Sequence, residues 1–254
     1  MTLAPFSTEA VLLAQIAYGE ADRIVTLFTR ARGKVTAMAH GARKSRSRFG
    51  AALSLFVLGD ATLRARRGGD LYTLERFEAR RVFSHLETDL VALAHASYAT
   101  ELARELSAAE KPDEPVLSLL LELYQTVETY GPRADTLRAF ELRLLGELGL
   151  APGFDRCVGC GSRETAKLDG VGALLDPHGG GVLCSACPRP GARPLGTAVR
   201  MRLCEVQTAA SLALAAQLPP APRAVALATR EATRDLLSNH LVRPLRTVAF
   251  LEQL

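Results

Sequence analysis

Between residues 9 and 78 the apolar positions come in short runs separated by turn residues, which is how strands are written in a sequence. Glu9–Ala17 carries Ala10, Val11, Leu12, Leu13 and Ile16, and Gly19-Glu20-Ala21-Asp22 turns the chain. Arg23–Arg30 follows with Ile24, Val25, Leu27 and Phe28, and Ala31-Arg32-Gly33 closes a hairpin. Lys34–Ala39 alternates Val35, Ala37 and Ala39 against Lys34, Thr36 and Met38, the pattern of a half-buried strand. A loop, Gly41–Gly50, interrupts; Leu53–Ala65 then resumes as a long strand, and Arg67-Gly68-Gly69-Asp70 turns it back into Leu71–Glu78. Five strands with little room for helices predict a small closed barrel, because closure removes edges that would otherwise need protection. The OB-fold is the expected form, although strand count alone does not separate it from an SH3-like barrel.

The middle of the chain changes period. Thr88–Ala109, Pro115–Tyr130 and Arg133–Leu148 place apolar residues three and four apart, as amphipathic helices do. Asp89 and Asp135 stand where first-turn carboxylates favour the positive helix end. Gly131-Pro132 and Gly149-Leu150-Ala151-Pro152 are stop signals. Residues 152–194 are too rich in glycine and proline to pack a core unaided, and two further helices are expected at Thr197–Gln217 and Pro222–Asn239. The reading is therefore α+β. It places an OB-fold barrel at 1–80 and an α-helical domain at 81–254, with 152–194 inserted in the latter.

Composition adds limits. The 254 residues are 48% apolar and 23% charged, which is ordinary for a globular protein, and no run of 18 apolar residues is present to span a membrane. The N-terminus lacks the layout of a secretory signal, so a cytoplasmic protein is expected. The net charge of +4 is unevenly spread: residues 1–80 hold 13 Lys/Arg against 7 Asp/Glu, leaving the remainder slightly negative. A positive N-terminal third implies a polyanionic partner for that third. Only four of the 31 basic residues are lysines, so a coding bias is the alternative source of part of the arginine content.

Two constellations carry chemistry. Cys157-Val-Gly-Cys160 and Cys184-Ser-Ala-Cys187 are CxxC pairs separated by 23 residues, and two such knuckles offer the four thiolates of a tetrahedral zinc site. Disulfides, a redox pair or unrelated thiols are the alternatives. Four sulfurs leave no open position, so the Zn2+ is expected to be structural, one per chain. Cys204 is left over as a small buried residue, and His178 is expected to be a loop residue rather than a ligand. The second constellation is basic. Arg30, Arg32, Lys34, Arg43, Lys44, Arg46 and Arg48 occur in a stretch without a single acid, and Arg64, Arg66 and Arg67 form a second cluster. Alternating cations and hydroxyls (Ser45, Ser47) suit successive phosphates, whereas a solvated loop without a task is the plainer alternative. Phe49 and Tyr72 are candidate base-stacking rings, with burial in the core as the alternative. No Walker A motif or zinc-deaminase signature is found, and no nucleophile can be placed with a base, so an enzyme is not expected.

Leu150-Ala151-Pro152-Gly153-Phe154-Asp155-Arg156-Cys157-Val158-Gly159-Cys160-Gly161, Gly179-Gly180-Gly181-Val182-Leu183-Cys184 and His240-Leu241-Val242-Arg243-Pro244-Leu245-Arg246 follow a basic-looped barrel in that order. With Gly41–Gly50 and Gly69-Asp70-Leu71-Tyr72-Thr73-Leu74, the pattern resembles the RecO family of bacterial DNA-repair proteins, in its zinc-retaining branch, over nearly the whole chain. The resemblance implies an OB domain, a helical domain and a zinc element. It also implies a recombination mediator that binds single- and double-stranded DNA and anneals complementary strands. With RecR, such a protein helps load RecA onto strands covered by single-stranded DNA-binding protein. Competing readings are a protein adaptor acting through its helices and a zinc-ribbon RNA-binding protein. The glycine triplet before Cys184 has no explanation at this level.

Overall fold

The computed structural model describes residues 4–45, 48–49, 53–66, 71–163, 173–251 and 253. Five strands come first: β1 (Phe6–Tyr18), β2 (Asp22–Thr29), β3 (Gly33–Ala39), β4 (Val57–Ala65) and β5 (Leu71–Val82). They close in the order β1-β2-β3-β5-β4, antiparallel throughout except for the β3–β5 pair, which is the five-stranded OB-type barrel. Ala10, Leu12, Val25, Leu27, Val35, Ala37, Leu63, Leu74 and Phe77 fill its interior, alternate residues of each strand pointing inward. One expected strand is shorter. Leu53 and Phe56 are buried as the apolar pattern requires, but the backbone there turns, and Phe56 adopts a left-handed φ of 59° before β4 starts at Val57.

Helices α1 (His85–Thr88), α2 (Leu90–Leu106), α3 (Glu114–Tyr130) and α4 (Ala134–Glu147) follow. Asp89 is the N-cap of α2 and accepts from the Ala92 N–H at 2.7 Å. The cysteine segment contributes a four-stranded sheet, β6 (Gly153–Cys157), β7 (Leu174–Asp176), β8 (Gly181–Leu183) and β9 (Arg193–Pro194), in the order β6-β8-β7-β9. The expected helix from Thr197 to Gln217 is two helices, α5 (Thr197–Thr208) and α6 (Leu212–Ala216). Ser211 separates them by capping α6, its hydroxyl accepting from the Leu214 N–H at 3.1 Å. The last helices are α7 (Arg223–Ser238) and α8 (Thr247–Leu251). No described helix is long and apolar enough to cross a membrane.

Contacts divide the chain into two compact units, Met1–Glu128 with Leu245–Leu254, and Thr129–Pro244. In the first, fully buried Tyr124 lies edge-on to Phe56 and Phe83, and its hydroxyl is 2.5 Å from that of Thr100. The chain end is fixed by Glu101 of α2, whose carboxylate accepts from the backbone and hydroxyl of Thr247 at 2.8 and 2.7 Å. Burial alone would raise the Glu101 carboxyl, but the Thr247 and Arg246 donors and Arg104 hold it below its ordinary 4.5. A depressed carboxylate contributes stability above its unfolded value and loses it as pH falls through the folded one. The α8 attachment is accordingly intact at neutral pH and weakens below about pH 4.5. Glu101→Gln should cost about 1.5–3 kcal/mol of local stability and abolish that acid dependence, read by hydrogen exchange across 247–251. In the second unit α4 packs against α5, α6 and α7, so helices on either side of the cysteine sheet share one core. Arg202 of α5 makes a two-pronged pair with Asp135 of α4 at 2.6 and 3.0 Å.

Candidate functional site

The loop leaving β3 is tied to the β1–β2 turn. The carboxylate of Asp22 accepts from the Gly41 N–H at 2.7 Å and lies 2.8 Å from His40 Nδ1. Those two contacts, Gly41 first, hold its carboxyl below the usual aspartate value. The Arg43 N–H donates to the Ala21 carbonyl at 3.0 Å, and the Lys44 and Ser45 N–H groups donate to the Gly41 carbonyl. At its other end the loop docks on β5, where the Phe77 N–H donates to the Arg48 carbonyl at 3.0 Å. The Arg48 guanidinium donates to the His40 carbonyl at 2.8 Å. The backbone of the loop is thus held at both ends while the side chains of Arg43, Lys44 and Arg48 are exposed.

Among the described residues, Arg43, Lys44 and Arg66 are exposed and form no ion pair, and Arg48 meets no carboxylate. Arg48 lines a surface pocket with Thr62, Glu75 and Arg76. Arg76 was not expected from the sequence, and like Arg64 it is already paired, with Glu78 at 2.6 Å. Its signal is its place on β5 directly across from Thr62 of β4, which puts it beside the returning loop. Arg32 is exposed and lies over the Phe6 ring at 5.8 Å.

At three positions the expectation of an available cation is not met. Arg30 pairs with Glu9 at 2.6 Å and with Glu114, inside a network that also joins Arg80 and Asp60. Arg64 pairs with Glu75 at 2.6 Å. The Lys34 ammonium donates to the Arg104 carbonyl at 2.6 Å, a cation placed at the negative end of α2. The stacking rings are also corrected. Phe49 is 1% exposed and Tyr72 is 7% exposed, both within the barrel core, so neither presents a face to a base. Phe49 follows the cations in sequence but turns inward as the apolar anchor of the loop, with Arg48 over its ring at 5.2 Å. Arg46 and Arg67 lie outside the described residues.

The other constellation does come together. The sulfurs of Cys157, Cys160, Cys184 and Cys187 all lie within 4.8 Å of one another, and Cys160 and Cys184 are 3.8 Å apart. A tetrahedron with metal–sulfur bonds of about 2.3 Å has edges of about 3.8 Å, which the Cys160–Cys184 separation matches, so the four sulfurs are placed to share one metal ion. Cys157 is buried and receives N–H donors from Gly159 at 3.4 Å and Cys184 at 3.3 Å. Burial pushes the Cys157 thiol up, but the donors from Cys184, Cys160 and Gly159 outweigh it and bring it down to about 6. Cys187 is pushed up to about 12 by hydrogen bonding to Cys160 and Cys184 and by burial. One thiolate forms readily and the next to it is opposed, which is what a dication at the centre relieves. Cys204 and His178 are not part of this cluster.

The glycine triplet acquires a reason here. Gly179 donates its N–H to Asp176 at 2.9 Å, so close that a side chain would strike that carboxylate, and a side chain on Gly181 would strike the Gly153 backbone. The β7–β8 turn and the parallel β6–β8 pairing both need bare backbone there, and that pairing sets Cys157 beside Cys184.

Two family models cover the chain, meeting between the barrel and the helices rather than at the boundary after Glu128. The family models "Recombination protein O N terminal" and "Recombination protein O C terminal" match residues 1–83 and 87–249. Relatives include the DNA repair protein RecO of Anaeromyxobacter sp. (strain Fw109-5), 40% identical over 247 residues, which are 96% of this chain and 94% of that one. That of Geobacter sulfurreducens is 36% identical over 98% of both chains. The RecO of Myxococcus xanthus is 36% identical over 98% of this chain and 97% of its own.

Proposed function

Starting from the fact that this chain belongs to the recombination protein O family, we propose that it serves DNA repair as a mediator of recombination that catalyses no covalent step. It binds single- and double-stranded DNA through the barrel and promotes annealing of complementary strands. With RecR it would load RecA on DNA covered by single-stranded DNA-binding protein, in the cytoplasm at the nucleoid. The observation that supports this reading best is the anchored β3–β4 loop, with Arg43, Lys44 and Arg48 meeting no carboxylate among the described residues and Arg66 exposed on the same barrel. Annealing needs mutually repelling phosphates neutralised while bases stay free to pair. Cations on a loop whose backbone is pinned do that without reading sequence. Zinc held by Cys157, Cys160, Cys184 and Cys187 would fix the β6–β9 sheet and take no part in binding.

An annealing assay tests this. The triple variant Arg43→Glu, Lys44→Glu, Arg48→Glu should anneal complementary oligonucleotides at least about tenfold more slowly, while the fold loses only the exposed Arg48 contacts to the His40 carbonyl and the Phe49 ring, about 1–2 kcal/mol. Annealing at the wild-type rate would remove the loop from the mechanism.

A further inference from the structure

Beyond Val11, β1 no longer pairs with β4, and its second half, Ala14–Tyr18, pairs with β2 alone. Residues 15–18 are all exposed, and among them Ile16 is 67% and Tyr18 55% exposed. The ribbon therefore carries an uncovered apolar strip that ends in an aromatic ring. Directly opposed residues of antiparallel strands share a face. Tyr18 is opposite Asp22 and Ile16 is opposite Ile24. Asp22 points at His40 and Gly41, the root of the cationic loop, and Ala21 holds Arg43. The ring of Tyr18 thus shares a face with the Asp22 carboxylate that holds the root of the loop carrying Arg43 and Lys44.

We propose that Tyr18, flanked by Ile16, is the platform on which a base of single-stranded DNA stacks while Arg43 and Lys44 hold the neighbouring phosphates. This inference rests on the DNA-binding reading above. Unpaired cations beside an aromatic strip complement a chain that offers alternating charge and flat apolar surface, which single-stranded nucleic acid does and duplex does not. An OB-type barrel presents its second and third strands and its first loop to oligonucleotides, and this strip lies on β1 and the β1–β2 turn next to them. With Phe49 and Tyr72 buried, Tyr18 supplies the stacking surface that they cannot.

The test uses the full-length chain with an oligothymidylate and, separately, a duplex. Tyr18→Ala should weaken oligothymidylate binding by roughly 5- to 100-fold and leave duplex binding and the salt dependence unchanged. The chain has no tryptophan, so a Tyr18→Trp variant carries a single indole reporter. It should bind as the wild type does, with its fluorescence quenched on saturation. Unchanged oligothymidylate affinity in Tyr18→Ala, an equal loss on duplex, or an unquenched indole at saturation would each overturn the proposal. Arg43→Glu with Lys44→Glu separates the two readings. If that variant loses oligothymidylate while Tyr18→Ala does not, only the stacking role falls; if neither loses it, DNA binding by this face falls as well.

Discussion

Cys184→Ser should yield a protein without stoichiometric metal in which the β6–β9 sheet no longer folds. The segment has little else to hold it. Among its described residues the buried apolar side chains are few (Phe154, Leu175, Val182, Leu183 and Leu195 chief among them), and its strands are two to five residues long. Metal binding in small structural sites is worth about 10–16 kcal/mol, as large as the net stability of a whole domain. Loss of one ligand therefore outweighs every other contact in the sheet. Serine is close to cysteine in size, so the effect would arise from the lost thiolate rather than from packing. The barrel has a separate core, and its unfolding transition should persist. Zinc analysis with calorimetry measures both, and a metal-free variant with wild-type unfolding would refute a structural role for the cysteines.

Gly33→Ala should have the next largest effect, for a reason of geometry. Gly33 has φ +64°, where a side chain costs about 1–2 kcal/mol, and the added methyl would fall on the Lys111 carbonyl, with Pro112 N at 3.2 Å. Both obstacles are backbone, so the segment joining α2 to α3 would have to move. That would break the Glu110 N–H to Lys34 carbonyl bond at 2.9 Å and pull the Lys34 ammonium from Arg104. The summed cost is about 3 kcal/mol or more. Gly19→Ala is the control. Gly19 also has a positive φ, of +58°, but nothing lies within 4 Å of the added methyl, so only the conformational cost applies. Equal melting temperatures for the two variants would show that the close approach at Gly33 carries no stability.

Much of this was legible in the sequence, and the failures share a cause. Strand and helix periods are local, and the five strands and the main helices stand within a few residues of their expected places. CxxC spacing is local too, and the four sulfurs do converge. The orientation of a ring that follows a loop depends on a distant partner. Phe49 sits next to the cations in sequence, and only the bond from Phe77 to Arg48 reveals that it turns into the barrel. The same holds for Lys34, consumed by a carbonyl 70 residues away, and for Arg30, paired with Glu9 and Glu114. A basic residue in a sequence is a charge; whether it is available is decided by its neighbours in space. Tyr18 shows the converse, being unremarkable in sequence and set opposite Asp22, at the root of the loop, by strand register.

The central claim is that the pinned loop after β3 holds DNA phosphates. Its most direct test is the salt dependence of oligothymidylate binding by the wild type and by the Arg43→Glu, Lys44→Glu, Arg48→Glu variant. Each phosphate contact on a single strand contributes about −0.7 to the slope of log K against log salt, so the slopes should differ by about 2. Weaker binding with that flattened slope is the predicted result. Parallel lines for the two proteins, whatever their affinities, would mean that these residues do not contact the phosphates.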